Sequence, residues 1–269
     1  MKFDDVLRAA ITDILTNGFK SEIQLMTWLM KIQSALQPFR VNLLSSRSLA
    51  AKELDKALNQ AFSQSSIAQK HSGINKFTLE RLRPNAQRML EERIKANANL
   101  IILRRDIAIN DTLSRFSSWA ISGAKESVLE SKKSIKKPIA QADYIERRQL
   151  IDQGHKLNAA INESIAKDGG AIAMTWFQHW TANPREKGHD AQSNHKQFDG
   201  KTYIIKDSWA VRDGLLTAGN LDYLEDIGAM PSQQINCVCT GVYIYSMTSL
   251  YRKRPDAFTQ KALKQMGKE

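Results

Sequence analysis

The only two cysteines of this 269-residue chain, Cys237 and Cys239, stand two positions apart, and His195 precedes them in the run His195-Lys-Gln-Phe-Asp199-Gly200. Thiolates and imidazoles are the preferred ligands of zinc, and a structural zinc site uses four. On a strand, residues i and i+2 share a face, so Cys237 and Cys239 would present both sulfurs together, with His195 as the third ligand. His189, Asp190 or Asp199 is the fourth candidate. The same residues also fit a packed cluster without metal, because free cysteines are among the most buried residue types. A thiolate beside an imidazole is in addition a nucleophile–base pair. The sequence around Cys237 and Cys239 carries no recognisable nucleophile signature, however. A disulfide between residues i and i+2 would be strained, and so short a spacing makes no disulfide framework, which points to a reducing compartment.

Around this trio lie further residues with an assignable role. Asp199-Gly200 is a turn signal ahead of the β-prone stretch Thr202-Tyr-Ile-Ile205. Trp176, Phe177 and Trp180 read as core aromatics of a β-containing unit, with His179 among them. A phosphate-binding glycine loop, a dinucleotide fingerprint and a His-Glu-x-x-His helix are all missing from the sequence.

The elements that must position these residues change character along the chain. Roughly the first 165 residues read as helical. Phe3, Val6, Leu7, Ala10, Ile11 and Ile14 mark one helix face, stopped by Asn17-Gly18. Ser21 to Leu36 is a second helix, ended by Gln37-Pro38. Ser48 to Ser66 is a third. Pro84 is expected to open another, which a break or cap at Asn110-Asp111 interrupts and Thr112 to Trp119 resumes. Ser131-Lys-Lys-Ser-Ile-Lys-Lys-Pro138 reads as a basic linker, either solvated or touching phosphate. Gln141 to Lys167 is helical again and ends at Asp168-Gly169-Gly170. Beyond it, Ala171 to Phe177, Thr202 to Ile205 and Cys237 to Tyr245 read as strands. A basic, helix-prone tail follows from Tyr251. The fold class is therefore α+β, a long mainly helical N-terminal region followed by a small β-containing C-terminal domain.

Composition narrows the function classes. The net charge is +11 and the apolar content 42%, with a pI near 9.6. Such a balance allows a sizeable core and favours a polyanionic partner, nucleic acid above all. The opening Met1 to Arg8 stretch lacks a basic n-region and an apolar h-region, so no secretory leader is expected. No run approaches the ~20 apolar residues of a membrane helix, so no membrane partner is expected.

The frame His195-x-x-x-Asp199-Gly200 … Pro231-x-x-x-x-Asn236-Cys237-Val-Cys239 resembles the C-terminal domain of the phage Mu protein F-like, or minor head protein, family of tailed bacteriophages. Trp176 falls where that family commonly has a tryptophan before the motif. Ile145-Glu-Arg-Arg-Gln149 and Leu157-Asn-Ala-Ala160 look like its preceding helix. Two features depart from the pattern. Gly188-His-Asp-Ala-Gln-Ser-Asn194 lacks the arginines usual before the histidine, and Val238 stands where a basic residue is common. The resemblance implies a helical region over 1–135 contacting portal, capsid or DNA, a Mu F-like domain over 138–250 and a basic tail over 251–269. It implies a minor head protein rather than an enzyme, acting at the portal vertex of the virion and ejected with the genome in some members. The host cytoplasm would be its place of assembly. Implied partners are the portal protein, the major capsid or scaffold protein and packaged double-stranded DNA; the cofactor reading stays at no certain group, with structural zinc the candidate. A metal-dependent nuclease or a Cys-His hydrolase carried by the virion is the competing expectation.

Overall fold

A computed structural model describes residues 2–122, 127–178, 195–234 and 237–268. The fold is α+β: long helices through the N-terminal part and one three-stranded antiparallel sheet towards the C-terminus. Among the described residues no helix is long and apolar enough to cross a membrane. The chain forms two compact units, residues 1–52 with 94–150, and residues 53–93 with 151–269.

In the first unit, α1 (Phe3–Asn17) buries the face read from the sequence, Val6, Leu7, Ala10, Ile11 and Ile14. Gly18, at φ +72°, closes it by donating its N–H to the Ile14 carbonyl at 2.9 Å. Ser21 caps α2 (Glu22–Ala35) by accepting the Gln24 N–H at 3.2 Å. A 3-10 turn over Gln37–Phe39 follows at the expected proline. The α1 and α2 faces close on Ile109, Phe116 and Ala120 of α5 (Lys76–Ile121) and on Ile135 of α6 (Val128–Asp168). Inside this unit the Arg105 guanidinium grips Glu146 with two bonds of 2.8 and 2.9 Å and also donates to the Phe39 carbonyl.

Three expectations fail here. Pro84 lies inside α5 rather than at its start, and α5 passes Asn110-Asp111 without a break. Burial of Ile109, Thr112 and Phe116 carries the helix through that point, and the Thr112 hydroxyl bonds back to the Ala108 carbonyl at 2.8 Å. The stretch Ser131 to Pro138, expected as a linker, is part of α6, and so is the boundary drawn at 135–138. Ser131 and Ile135 point inward and are fully buried, while Lys132 and Lys136 close on Asp4 of α1 at 3.6 and 2.8 Å. Pro138 has no N–H for the Ser134 carbonyl four residues back. The Arg115 guanidinium reaches that carbonyl at 3.4 Å and supplies a donor in its place.

The second unit contains α4 (Gln64–Lys70), capped by Ser63, which splits the expected Ser48 to Ser66 helix from α3 (Leu43–Ala61). Its sheet is β1 (Ala173–Phe177) between β2 (Thr202–Ile204) and β3 (Thr240–Ile244). Thr175 faces Thr202 on one side and Val242 on the other. Met174 and Trp176 pack with Tyr203, Tyr243 and both cysteines. A second cluster joins Ala173, Ile204 and Ile244 to Ala210 of the short helix α7 (Trp209–Arg212), Leu250 of α8 (Met247–Tyr251), Phe258 and Ala262 of α9 (Gln260–Gln265).

The segment from Tyr251, expected as a basic tail, is thus part of this folded unit. Arg254 is 7% exposed. Its guanidinium donates to the carbonyls of Thr202 and Ala218 and pairs with Asp256 at 2.8 and 2.9 Å. Those bonds hold the Asp256 carboxyl down at about 2.

Candidate metal centre

β1 ends at Phe177, and the chain re-enters the described structure at His195, in a 3-10 turn over His195–Phe198. The Asp199-Gly200 turn ties this piece to β1. Gly200, at φ +73°, donates its N–H to the Trp176 carbonyl at 2.9 Å. The Asp199 carboxylate accepts the Gln178 N–H at 2.7 Å. Asp199 and Gly200 thus tie the turn to Gln178 and Trp176. Trp176, fully buried, meets the His195 ring edge-on at 5.4 Å and packs on Phe198 at 4.9 Å.

The cysteines do not lie on a strand as expected; β3 begins at Thr240. A turn at Pro231-Ser232 sets them instead. Ser232 has φ +61°, the sole positive value among described non-glycine residues, and its hydroxyl donates to the Cys239 carbonyl at 2.9 Å. The sulfurs nevertheless converge: Cys237 Sγ lies 3.3 Å and Cys239 Sγ 3.5 Å from His195 Nδ1.

All three donor atoms lie within 4.8 Å of one another, and all three residues are buried. Asp199 is not in the group; its carboxylate is turned to Gln178. His189, Asp190, His179, Trp180 and Asn236 lie outside the described residues. This buried trio can hold a metal ion. Zn–S near 2.3 Å and Zn–N near 2.0 Å at a tetrahedral angle put sulfur and nitrogen about 3.5 Å apart, which the two observed separations match.

The electrostatics of the pair agree. The Cys239 thiol, together with backbone N–H groups of Cys239 and Ser232, pulls Cys237 down to about 5 against the opposing effect of burial. Cys239 is pushed up by the hydrogen bond and charge of Cys237 and by burial. The direction of the Cys237 shift favours a thiolate, the form that binds metal. The far ring nitrogen of the histidine, His195 Nε2, is buried with no hydrogen-bond partner among the described residues.

A cleft of about 780 Å³ opens beside Cys239, between His155, Asn158, Asn162 and Glu163 of α6 and Thr240 and Val242 of β3. Burial raises the Glu163 carboxyl above its ordinary value. Deeper in the same unit is a polar network that the sequence did not reveal. His71 stacks flat on Tyr243 at 5.1 Å, and its ring nitrogens meet Asn162 Oδ1 at 2.8 Å and the Tyr245 hydroxyl at 2.6 Å. The Asn162 amide nitrogen donates to the Asn158 carbonyl at 2.6 Å. Asn162 Oδ1 must then accept, so His71 Nε2 carries the proton and Nδ1 accepts from Tyr245. The only advance signal was the alternation of Tyr243 and Tyr245.

No protein-family model, curated protein or solved structure matches the chain.

Proposed function

We propose that this protein is a structural and assembly protein, a minor head protein of a tailed bacteriophage acting in head morphogenesis at the portal vertex, in contact with the portal and the major capsid or scaffold protein. The observation that carries this reading is the convergence of the motif residues. Trp176, His195, Asp199, Gly200, Cys237 and Cys239, spread over more than sixty positions of sequence, come together at the end of β1. Such a frame shapes and stabilises a small docking unit. Both cysteine residues are buried, at 9% and 4% exposure, and their sulfurs face the His195 ring, which supports a structural role.

The bound group proposed for the trio is structural zinc, with Cys237, Cys239 and His195 Nδ1 as three of its ligands. When bound, zinc would cross-link the His195 turn to the Cys237–Cys239 segment; the residues themselves supply the two sulfurs and the imidazole.

The test is quantitative mass spectrometry of phage heads before and after DNA release, for the wild type and His195→Ala. A few copies per particle that fractionate with the portal, with fewer or malformed heads for the variant, is the expected result. Absence of the protein from particles overturns the reading, and loss of those copies on DNA release adds ejection to it.

A further inference from the structure

The positive charge of this chain is unevenly placed. The first unit, residues 1–52 with 94–150, carries 18 Lys and Arg against 10 Asp and Glu, a net +8 of the chain's +11. Its densest run is the four lysines of Ser131 to Pro138. Helix formation divides them. Lys132 and Lys136 are spent on Asp4, whereas Lys133 and Lys137 are exposed and have no ion pair among the described residues.

Extending that exposed face along α6 at helical spacing gives Ala140, Tyr144 and Arg147, all exposed. No acidic side chain falls between Lys133 and Arg147 on the stripe; Asp143, at its edge, turns to Arg105 at 3.6 Å. Arg147 has no ion pair among the described residues, and Tyr144 is 64% exposed. The opposite face, with Ile135, Ala142, Glu146 and Leu150, is buried and fixes the helix in place. From Lys133 to Arg147 the stripe runs about 21 Å at 1.5 Å per residue. A DNA duplex offers about six phosphates per strand over that length. The stripe starts close to the N-terminal, positive end of the α6 dipole.

We propose that this outward stripe of α6, with Lys133, Lys137 and Arg147, is a sequence-independent docking surface for the phosphate backbone of duplex DNA. An anionic membrane fits it less well. Membrane-surface helices bury an apolar face in lipid, and the apolar face of this part of α6 is already occupied by the protein's own core. A rigid row of point charges with nothing arranged to read bases suits binding to phosphate.

The experiment is fluorescence anisotropy of the full-length protein with two labelled 30-base-pair duplexes of unrelated sequence, from 50 to 200 mM salt. Expected is equal affinity for both and a linear fall of log K with log salt. The Lys133→Gln/Lys137→Gln/Arg147→Gln variant should lower the slope by about 2 to 3, at roughly 0.9 for each phosphate that is no longer neutralised, and weaken binding at least tenfold at 50 mM salt. Lys201→Gln/Lys264→Gln, in the second unit, should change neither, and circular dichroism should report equal helix content for all three proteins. No binding at 50 mM salt, an unchanged slope in the triple variant, or tighter binding to phosphatidylserine vesicles than to DNA each overturns the proposal. The assay uses no phage particle, so it fails or succeeds separately from the head reading.

Discussion

Lowering the pH from 7.5 to 4.5 should destabilise the second unit through one side chain, His71. The imidazole is fully buried and its titration is pushed down to about 4, chiefly by desolvation, against 6.5 for a free histidine. Its hydrogen bond to Asn162 opposes the shift, and the Lys70 charge adds to it. The sign follows from proton binding. Above pH 6.5 the imidazole is neutral in both states and contributes no pH dependence. Between 6.5 and 4 the unfolded chain binds a proton that the folded one does not, so stability falls with pH. At pH 4.5 the loss comes to about 2.5 kcal/mol. Urea unfolding of the wild type and of His71→Gln at both pH values isolates it, because other titrating groups are common to the two proteins. His71→Gln should be the less stable at pH 7.5, having lost the stacking on Tyr243. The wild type's advantage should shrink by about 2.5 kcal/mol at pH 4.5. An advantage that stays constant across the two pH values refutes the reasoning, since it would mean that the folded imidazole titrates as a free one does.

Three other outcomes are expected. Protein purified without chelator should carry about one zinc per chain by elemental analysis, and Cys237→Ser/Cys239→Ser should carry none and melt earlier; zinc near zero in the wild type sinks the metal assignment. Arg254→Met should lose about 3 kcal/mol in thermal or urea unfolding, because it strands Asp256 and two carbonyls that the guanidinium now satisfies; a loss under about 1 kcal/mol would show that the segment after Tyr251 is not integral to the unit. Limited trypsin digestion should spare Lys132 to Lys137, although its lysines read as a linker in sequence, since those peptide bonds lie in a packed helix; early cleavage at that run would contradict the packing of Ile135.

What was legible in the sequence is what local pattern dictates. The Val6 to Ile14 stripe packs as its spacing requires, and the β-prone stretches Ala171 to Phe177 and Thr202 to Ile205 both contain strands. His195, Cys237 and Cys239 meet as their types suggested, although by a turn at Ser232 and not by strand alternation. The misreadings occur where distant partners outweigh local preference. Pro138 signals an end to a helix, but Arg115, 19 residues from Ser134, supplies the missing donor and Asp4, 132 residues from Lys136, neutralises the lysines. Arg254 looks like a tail charge until its partners, 36 and 52 residues away, are seen. His71 has no informative neighbours at all; its chemistry is set by residues 91 and 174 positions away.

That last separation bears on how the protein comes into being. The His71–Tyr245 pair cannot form until 174 further residues have been translated, which takes roughly ten to thirty-five seconds at ribosomal rates of about 5–20 residues per second. For most of that interval the 53–93 segment has been made without the strand and helix that will cover it. Its apolar and polar core groups are then open to chaperones, proteases and neighbouring nascent chains. A message cut short before codon 245 would therefore yield more than a shorter protein: it would release a chain whose early segment never finds its partner, and the cell would meet it as a substrate for degradation.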